Sequence, residues 1–452
     1  MHAVLLLLAV TSCAAAGPAV AERLQDAVQT ALRRNPEVLG AAANLRAANE
    51  GYAAAGGGRL PSVDLRMGSG REETDSLVTR AATGGSTRTL TRQEANLTLR
   101  QNLYDGQQVR SEMDRQAFRI ESSNARLVDT GEQIALRVTE IYLDALRDIE
   151  LVRLSEDNVR RHEDVLEKTR WRFSSGVGQG ADVEQANGRL ALARSTLEAA
   201  RGTAEDTSAR YQRVVGRLPA NLVMPQPAER QIPPTLAEAR QTGRDNSQSL
   251  RAARADVSGA QATVRNVQAD MLPRVDVELS ANRNRDLDGI IGPNNDLSAM
   301  LVMRYNLFRG GTDQARIREA RERETVASES ANNIIEFTDE NVARAWAARA
   351  TARNRLASLE SHARASEQVL ESYRYQFELG RRSLLDLVNA ENELFQSRTA
   401  LTSGRITLRS SEFRLLAAMG FLVKSLGLSD ELIRLSAPAA EAGDNPAAND
   451  KR

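Results

Sequence analysis

The sequence predicts a mainly α-helical fold with a small membrane β part, built as two copies of one pattern. Three observations predict it. Residues 377–394 (FELGRRSLLDLVNAENEL) have a near-copy 204 residues earlier, at 173–190 (FSSGVGQGADVEQANGRL). Apolar residues recur three and four apart through proline-free segments of more than sixty residues, which marks long packed helices. Four runs of about ten residues alternate apolar and polar instead, which marks strands.

The repeat extends outward and sets the domain plan. At the same offset Asn102-Leu103-Tyr104 matches Asn306-Leu307-Phe308, and Gly216 matches Gly420. At an offset of 212, Leu24 matches Leu236, Ala27 matches Ala239, and Leu60-Pro61 matches Leu272-Pro273. The first copy is therefore longer by eight residues between 61 and 102. Residues 22–217 form the first repeat and 235–420 the second. Between them, 218–234 holds five prolines and reads as an irregular linker at mid-height, where 421–435 also belongs. Residues 436–452, rich in Ala, Pro and Asp, read as a disordered tail.

Charge is balanced, with 60 basic and 60 acidic residues, so the chain has no electrostatic footprint for nucleic acid. Aromatics are only 4%, too few for a large globular core. Residues 1–21 read as an export signal: an apolar run over 3–10, then Ala19-Val20-Ala21 as the cleavage site before Glu22. The n-region is Met1-His2 without Lys or Arg, which points to a translation start upstream. The single cysteine, Cys13, follows Val10-Thr11-Ser12 in a lipobox-like context; it is either lipidated or discarded with the signal. Cleavage after Ala21 leaves a chain without cysteine and so without a disulfide.

In chain order, the first helix covers 22–56 with a seam of Val38, Ala41, Leu45, Ala48, Tyr52 and Ala55. At Pro61 the period changes to two. A hairpin over 61–104 places Val63, Leu65 and Met67, then Ala95, Leu97, Leu99 and Leu103, on one side. A helix over 107–174, a glycine-bearing tip loop and a helix with Ala186, Leu190, Ala193 and Leu197 complete the first repeat. The second repeat has a helix over 235–271 and a hairpin over 273–308, with Val275, Val277, Leu279, Ala281 and the odd positions 297–307 on its apolar side. A helix over 312–379 follows, then a tip loop and a helix carrying Ala390, Leu394, Ser397 and Leu401. Two helices of roughly 35 residues match one long helix in length at 1.5 Å per residue, so each pair is expected to stack end to end beside it.

Strands of about ten residues are long enough to cross a bilayer when tilted. A soluble sheet on a core competes with that reading, but the flanking helices use up their small apolar stripes on one another. Four strands cannot close a barrel, and an open edge in lipid leaves backbone groups unpaired, so the chain is expected to oligomerise.

At this point the order of motifs resembles the TolC family of outer-membrane channels over residues 22–435. The strand-end runs QNLYDGQ and YNLFRGG and the tip run GRRSLLDLVNAENELF carry the likeness, and the tip is most similar to the type I secretion branch. The resemblance implies a homotrimer in which four strands per chain form a shared 12-strand β-barrel in outer-membrane lipid, above a 12-helix periplasmic α-barrel. It also implies a passive duct for unfolded protein, with a periplasmic membrane-fusion adaptor and an inner-membrane ABC transporter as partners. The outlet of a multidrug or metal efflux pump is the alternative, and a soluble periplasmic coiled-coil scaffold the further one.

Carried onto this sequence, the family's tunnel entrance falls on Asp386 as an acidic ring and on Arg382 as the arginine that links to it. Asn389 stands where a second acidic ring is expected, which implies a weaker cation site. Phe377 and the first-repeat counterparts Asp182 and Gln185 complete the constriction. The tip loops Gly176, Val177, Gly178, Gly380 and Arg381 are the expected adaptor-docking surface. The plain reading of these residues is structural: the glycines permit a turn, and Asp182 and Asp386 cap helices. No catalytic, cofactor or metal arrangement is expected; His162 and His362 read as solvated helix residues.

Overall fold

The computed structural model describes residues 21–85 and 87–436. The export signal up to residue 20, including Cys13, and tail residues 437–452 lie outside the described residues. In chain order the elements are α1 (Leu24–Arg34), α2 (Pro36–Gly56), β1 (Ser62–Thr74), α3 (Leu77–Thr83), β2 (Arg88–Tyr104), α4 (Gln108–Ser174), α5 (Gly180–Val215), α6 (Leu236–Asn246), α7 (Gln248–Ala269), β3 (Arg274–Arg285), β4 (Pro293–Arg304), α8 (Thr312–Glu378), α9 (Leu384–Ala418), α10 (Leu422–Ser425) and α11 (Ser429–Ser436). The helices α4 and α8 are 67 residues each. No helix among the described residues is long and apolar enough to cross a membrane.

Both helices expected to precede a strand hairpin are broken, and at equivalent places. Asn35 (φ −67°, ψ 125°) separates α1 from α2, and Ser247 (φ −60°, ψ 110°), 212 residues later, separates α6 from α7. At the first break Pro36 has no N–H and bars the helical region to the residue before it. At the second the Ser247 hydroxyl accepts from Leu250 N at 3.2 Å and starts a new helix.

The chain divides into two compact units that cut across the repeats. One unit combines Gly40–Asp129 with Ser247–Phe337 and contains the sheet. Its four strands pair antiparallel in the order β1-β2-β3-β4. The register puts Val63, Leu99, Leu279 and Ala299 in one row across the sheet, and Leu65, Leu97, Ala281 and Leu297 in the next. The expected apolar side is therefore one continuous face, and it is open: Leu65 is 66% exposed, Leu297 84% and Leu301 69%. The opposite face holds ion pairs, with Arg304 2.7 Å from the buried Asp276 and Arg100 bonded through Nε to Glu278 at 2.9 Å.

The strands differ from expectation in three respects. The first, β1 and β2 reach 13 and 17 residues, and the extra length of the first hairpin includes α3, capped by Ser76 and ended by Gly84 at φ 72°. Second, β4 ends at Arg304, so Tyr305, Leu307 and Phe308 lie beyond it; there Asn306 Oδ1 accepts from Phe308 N and closes a turn. Third, the register slips between Asn102 and Tyr104, so a bulge at Leu103 aligns Tyr104, not Leu103, with Val275. Beside the sheet, α7 packs on residues 108–129 of α4, with Asn266 donating to Gln108 O at 3.1 Å. In the seam of α2 the buried alanine is Ala42 rather than Ala41, and Tyr52 stays 39% exposed.

The other unit combines residues up to Leu39 with Thr130–Asn246 and Thr338–Leu435. Its first described turn is anchored: Glu22 N donates to Asn221 O at 3.2 Å, and the Glu22 carboxylate accepts from Tyr211 Oη at 2.7 Å and from Arg217. Tyr142 Oη accepts from Val223 N at 2.9 Å, and burial pushes its pKa up to about 12. From the chain's other end, Glu431 of α11 binds Arg33 of α1 at 2.7 Å, and buried Glu132 accepts from Leu422 N and Val423 N at the start of α10. The residues 421–435 thus form two short helices. Farther along, the α4–α5 and α8–α9 hairpins share a core of Val165, Leu166, Ala186, Leu190, Leu370, Phe377, Leu387, Val388 and Leu394. Gly404 lets α9 approach α8 closely, since a Cβ there would stand 2.6 Å from Leu359 Cδ1.

Candidate functional site

The expected site lies where the two helical hairpins of the second unit turn. Both turns have the same backbone solution. At the end of α8, Gly380 adopts φ 73°, its N–H donates to Phe377 O at 3.0 Å, and Arg381 N donates to Gln376 O at 2.8 Å. At the end of α4, Gly176 adopts φ 76°, with Gly176 N to Phe173 O and Val177 N to Arg172 O both at 3.0 Å. These are paired Schellman caps, in which a left-handed residue lets the last carbonyls find donors. Around Gly176 and Gly380 an added Cβ meets nothing within 4 Å, so the conformation alone requires glycine. At Gly178 space is the limit: a Cβ would stand 2.9 Å from Phe173 N.

The side chains break the symmetry. Phe377 is buried between the hairpins, whereas Phe173 is half exposed, and Trp171 and Val177 around it are more exposed still. Arg172 explains the difference, donating to Phe377 O at 2.9 Å with its guanidinium 4.8 Å above the Phe377 ring.

At the entrance positions, Ser383 caps α9, accepting from Asp386 N at 3.2 Å and donating to Asp386 Oδ2 at 2.9 Å. Arg382 stacks on Tyr373 at 4.0 Å, and its Nε is 3.7 Å from Asp386 Oδ2. The structure therefore brings Arg382, Ser383, Asp386 and Tyr373 together. Asn389 is exposed one turn farther on; Asp182 and Gln185 are partly exposed on the first turns of α5. Among the described residues, no side-chain hydrogen bond or ion pair joins those three to Asp386.

Five residues beyond Asp386 lies a group that the sequence did not reveal. Glu391, with a fully buried side chain, accepts from Arg374 Nε at 2.9 Å, and its Oε2 is 3.6 Å from Arg161 of the other hairpin. In the sequence it is one of two carboxylates, with Glu393, beside the seam residue Ala390, and nothing marks it as the buried one. The expectation of a solvated His162 is overturned: the side chain is 94% removed from water, and burial holds its pKa below the ordinary 6.5 while Glu391 pulls the other way. His162 sits on the face of α4 turned toward the second hairpin, which the spacing of histidines alone does not report. His362 is half exposed and 3.2 Å from Glu393.

Compared with known proteins, residues 27–217 and 239–421 match the family described as outer membrane efflux protein. The chain belongs to this family. It is an outer-membrane channel of a Gram-negative bacterium that extends into the periplasm. The outer membrane efflux protein BepC of Brucella suis biovar 1 is 24% identical over 403 residues, covering 89% of this chain and 86% of its own. The alkaline protease secretion protein AprF of Pseudomonas aeruginosa is 23% identical over 440 residues, covering 94% and 88%. A probable efflux pump outer membrane protein, TtgC of Pseudomonas putida, is 22% identical over 422 residues, covering 88% and 82%. Among solved structures, CusC aligns with a TM-score of 0.76 at 16% identity, covering 89% of this chain and 92% of its own. The open state of MtrE from Neisseria gonorrhoeae aligns at 0.73 and 19%, covering 89% of both. Family membership sets aside the soluble scaffold.

Proposed function

We propose that three copies of this chain close a 12-strand barrel above a 12-helix periplasmic tunnel, and that the assembly is the passive exit duct of a type I secretion system. The observation that carries this reading is the open sheet. The outer edges of β1 and β4 are unpaired among the described residues, while the apolar face beside them is exposed. An edge in lipid is prohibitively costly, and pairing β4 of one copy with β1 of the next removes every edge at once. Cross-linking in detergent is expected to trap trimers; a stable folded monomer would defeat the reading.

Unfolded protein, delivered by an inner-membrane ABC transporter and a membrane-fusion adaptor, is the proposed cargo. Similarity to AprF and the tip run at 384–395 support it. The printed names of BepC and TtgC favour the second reading, an efflux-pump outlet. Deleting the gene separates them: loss of secreted protein with unchanged tolerance of small toxic compounds supports secretion, and the reverse supports efflux. In either assembly Asp386 is proposed to form a threefold carboxylate ring at the entrance, modulated by Arg382, with Asn389, Asp182, Gln185 and Phe377 around it. The tip loops with Gly176, Val177, Gly178, Gly380 and Arg381 are proposed to dock the adaptor.

A further inference from the structure

The far end of the sheet's apolar face carries arginines. On the polar face Arg92, Arg100 and Arg304 are held by carboxylates, while Arg66 is exposed without one among the described residues. On the face that carries the exposed apolar rows, Arg71, Arg283 and Arg285 are all exposed and make no side-chain ion pair or hydrogen bond among the described residues. The register shows where they stand. Past the row Leu65, Leu97, Ala281 and Leu297 comes Met67, Ala95, Arg283 and Asn295, then Ser69, Gln93, Arg285 and Pro293, then Arg71 beside Thr91. Apolar character thus gives way to cationic character within one row, on the side that leads toward the hairpin turns and away from the helices. A cleft of about 690 Å³ touches the two rows holding Arg283 and Arg285, and Gly68, Glu94 and Asn284 of the row between them also line it. Glu73 is the only carboxylate within the strands at that level of this face, and it makes no ion pair there.

We propose that Arg71, Arg283 and Arg285 form a binding site for the phosphates of an anionic lipid in the outer leaflet. This rests on the reading that the apolar face meets lipid. With the helices in the periplasm, the turn-side end of the sheet is the outward one, so the arginines stand where hydrocarbon ends and headgroups begin. Rows on one face are about 6.8 Å apart and neighbouring strands about 4.8 Å. Arg283 and Arg285 therefore stand side by side on β3, and Arg71, two strands away, stands roughly 12 Å from Arg285. That spread matches the separate phosphates of one large headgroup rather than a single phosphate. Guanidinium forks match phosphate oxygens in pairs, and Ser69, Thr91, Gln93 and Asn295 offer further polar groups. Leu65, Met67, Leu297 and Leu301 provide the surface for acyl chains. Arginines at a lipid boundary are stabilised when anionic headgroups meet them.

The test uses the full-length protein in neutral detergent, with bis-phosphorylated lipid A as the probe and native mass spectrometry as the readout. Combined Arg71→Gln, Arg283→Gln and Arg285→Gln replacement is expected to weaken binding about tenfold or more. The corresponding triple Arg→Lys variant should retain most of it, and Arg66→Gln on the other face all of it. Equal binding by the triple Gln variant, equal binding of lipid A stripped of its phosphates, or displacement by millimolar inorganic phosphate each overturns the proposal. A spin label at Leu297→Cys tests the underlying reading separately: no collision with lipid-soluble oxygen means that the face does not meet lipid. A lipid-exposed label with unchanged binding removes the phosphate site alone.

Discussion

Arg172 donates to the carbonyl of Phe377 and covers its ring, while Phe173, the Phe377 counterpart in the other repeat, has no such cover and is 52% exposed. One repeated position thus does two jobs. Phe377→Ala is expected to lower stability by about 3–5 kcal/mol, as for a buried aromatic, and Phe173→Ala by less than about 0.5 kcal/mol. Thermal unfolding of the two variants checks this; similar losses would mean that the hairpins do not pack through Phe377.

Ser383 and Asp386 separate capping from gating. Ser383→Ala removes the cap, is expected to cost about 1 kcal/mol, and should leave ion flow unchanged. Asp386→Ala should change conductance or cation selectivity in planar bilayers, with a stability loss of only about 0.3–1 kcal/mol. A stability loss without any change in conductance or selectivity would leave Asp386 as a first-turn partner of Ser383 and nothing more.

The tip loops offer a test of docking that does not disturb the turn. Val177→Asp or Arg381→Glu should abolish export with normal amounts of trimer in the membrane, measured by secretion and by cross-linking from the same cells. By contrast, Gly178→Ala forces a Cβ against backbone at 2.9 Å and should destabilise the loop itself.

Glu391 and Arg374 form an unequal pair, with Arg374 at 40% side-chain exposure and Glu391 at none. Removing the arginine leaves a buried carboxylate with only Arg161, 3.6 Å away, to meet it, at a cost of up to about 3–5 kcal/mol; removing the acid leaves a cation that can turn to water. Arg374→Ala should therefore unfold at a clearly lower temperature than Glu391→Leu. The opposite order would show that packing, not charge, decides.

His162 gives a pH dependence with a definite sign. Its folded pKa lies below 6.5, so the unfolded chain binds the extra proton first. Its contribution is fully present above pH 6.5 and is lost as pH falls from there toward the folded pKa. His162→Leu should flatten that part of the curve of stability against pH; parallel curves for both proteins would sink the prediction.

Much of this was legible because it is periodic. A two-residue period put Val63, Leu65, Leu97 and Leu297 on one face, and the sheet keeps them there; the repeated glycines marked both Schellman turns. The break at Ser247 was not legible, because its serine looks like any other polar helix residue until its hydroxyl is seen to cap Leu250. The bulge at Leu103 was hidden because its flanking residues still alternate. Glu391 and His162 escaped because seam spacing finds the apolar stripe of one helix and says nothing about which charged neighbour is turned toward a second hairpin. The proposed entrance role of Asp386 rests on family resemblance alone; capping at this helix start was legible in the sequence, and the structure gives the cap to Ser383 rather than to Asp386.

The ties that finish the helical unit span almost the whole chain. Arg33 closes on Glu431, 398 residues away, and Glu132 receives the start of α10 across 290 residues. Such closures are slow, because the ends must meet before any contact rewards the meeting. A chain emerging from its N-terminus into the periplasm therefore cannot finish this unit in step with its delivery. It must wait, with half-covered seams exposed to aggregation, until α10 and α11 arrive.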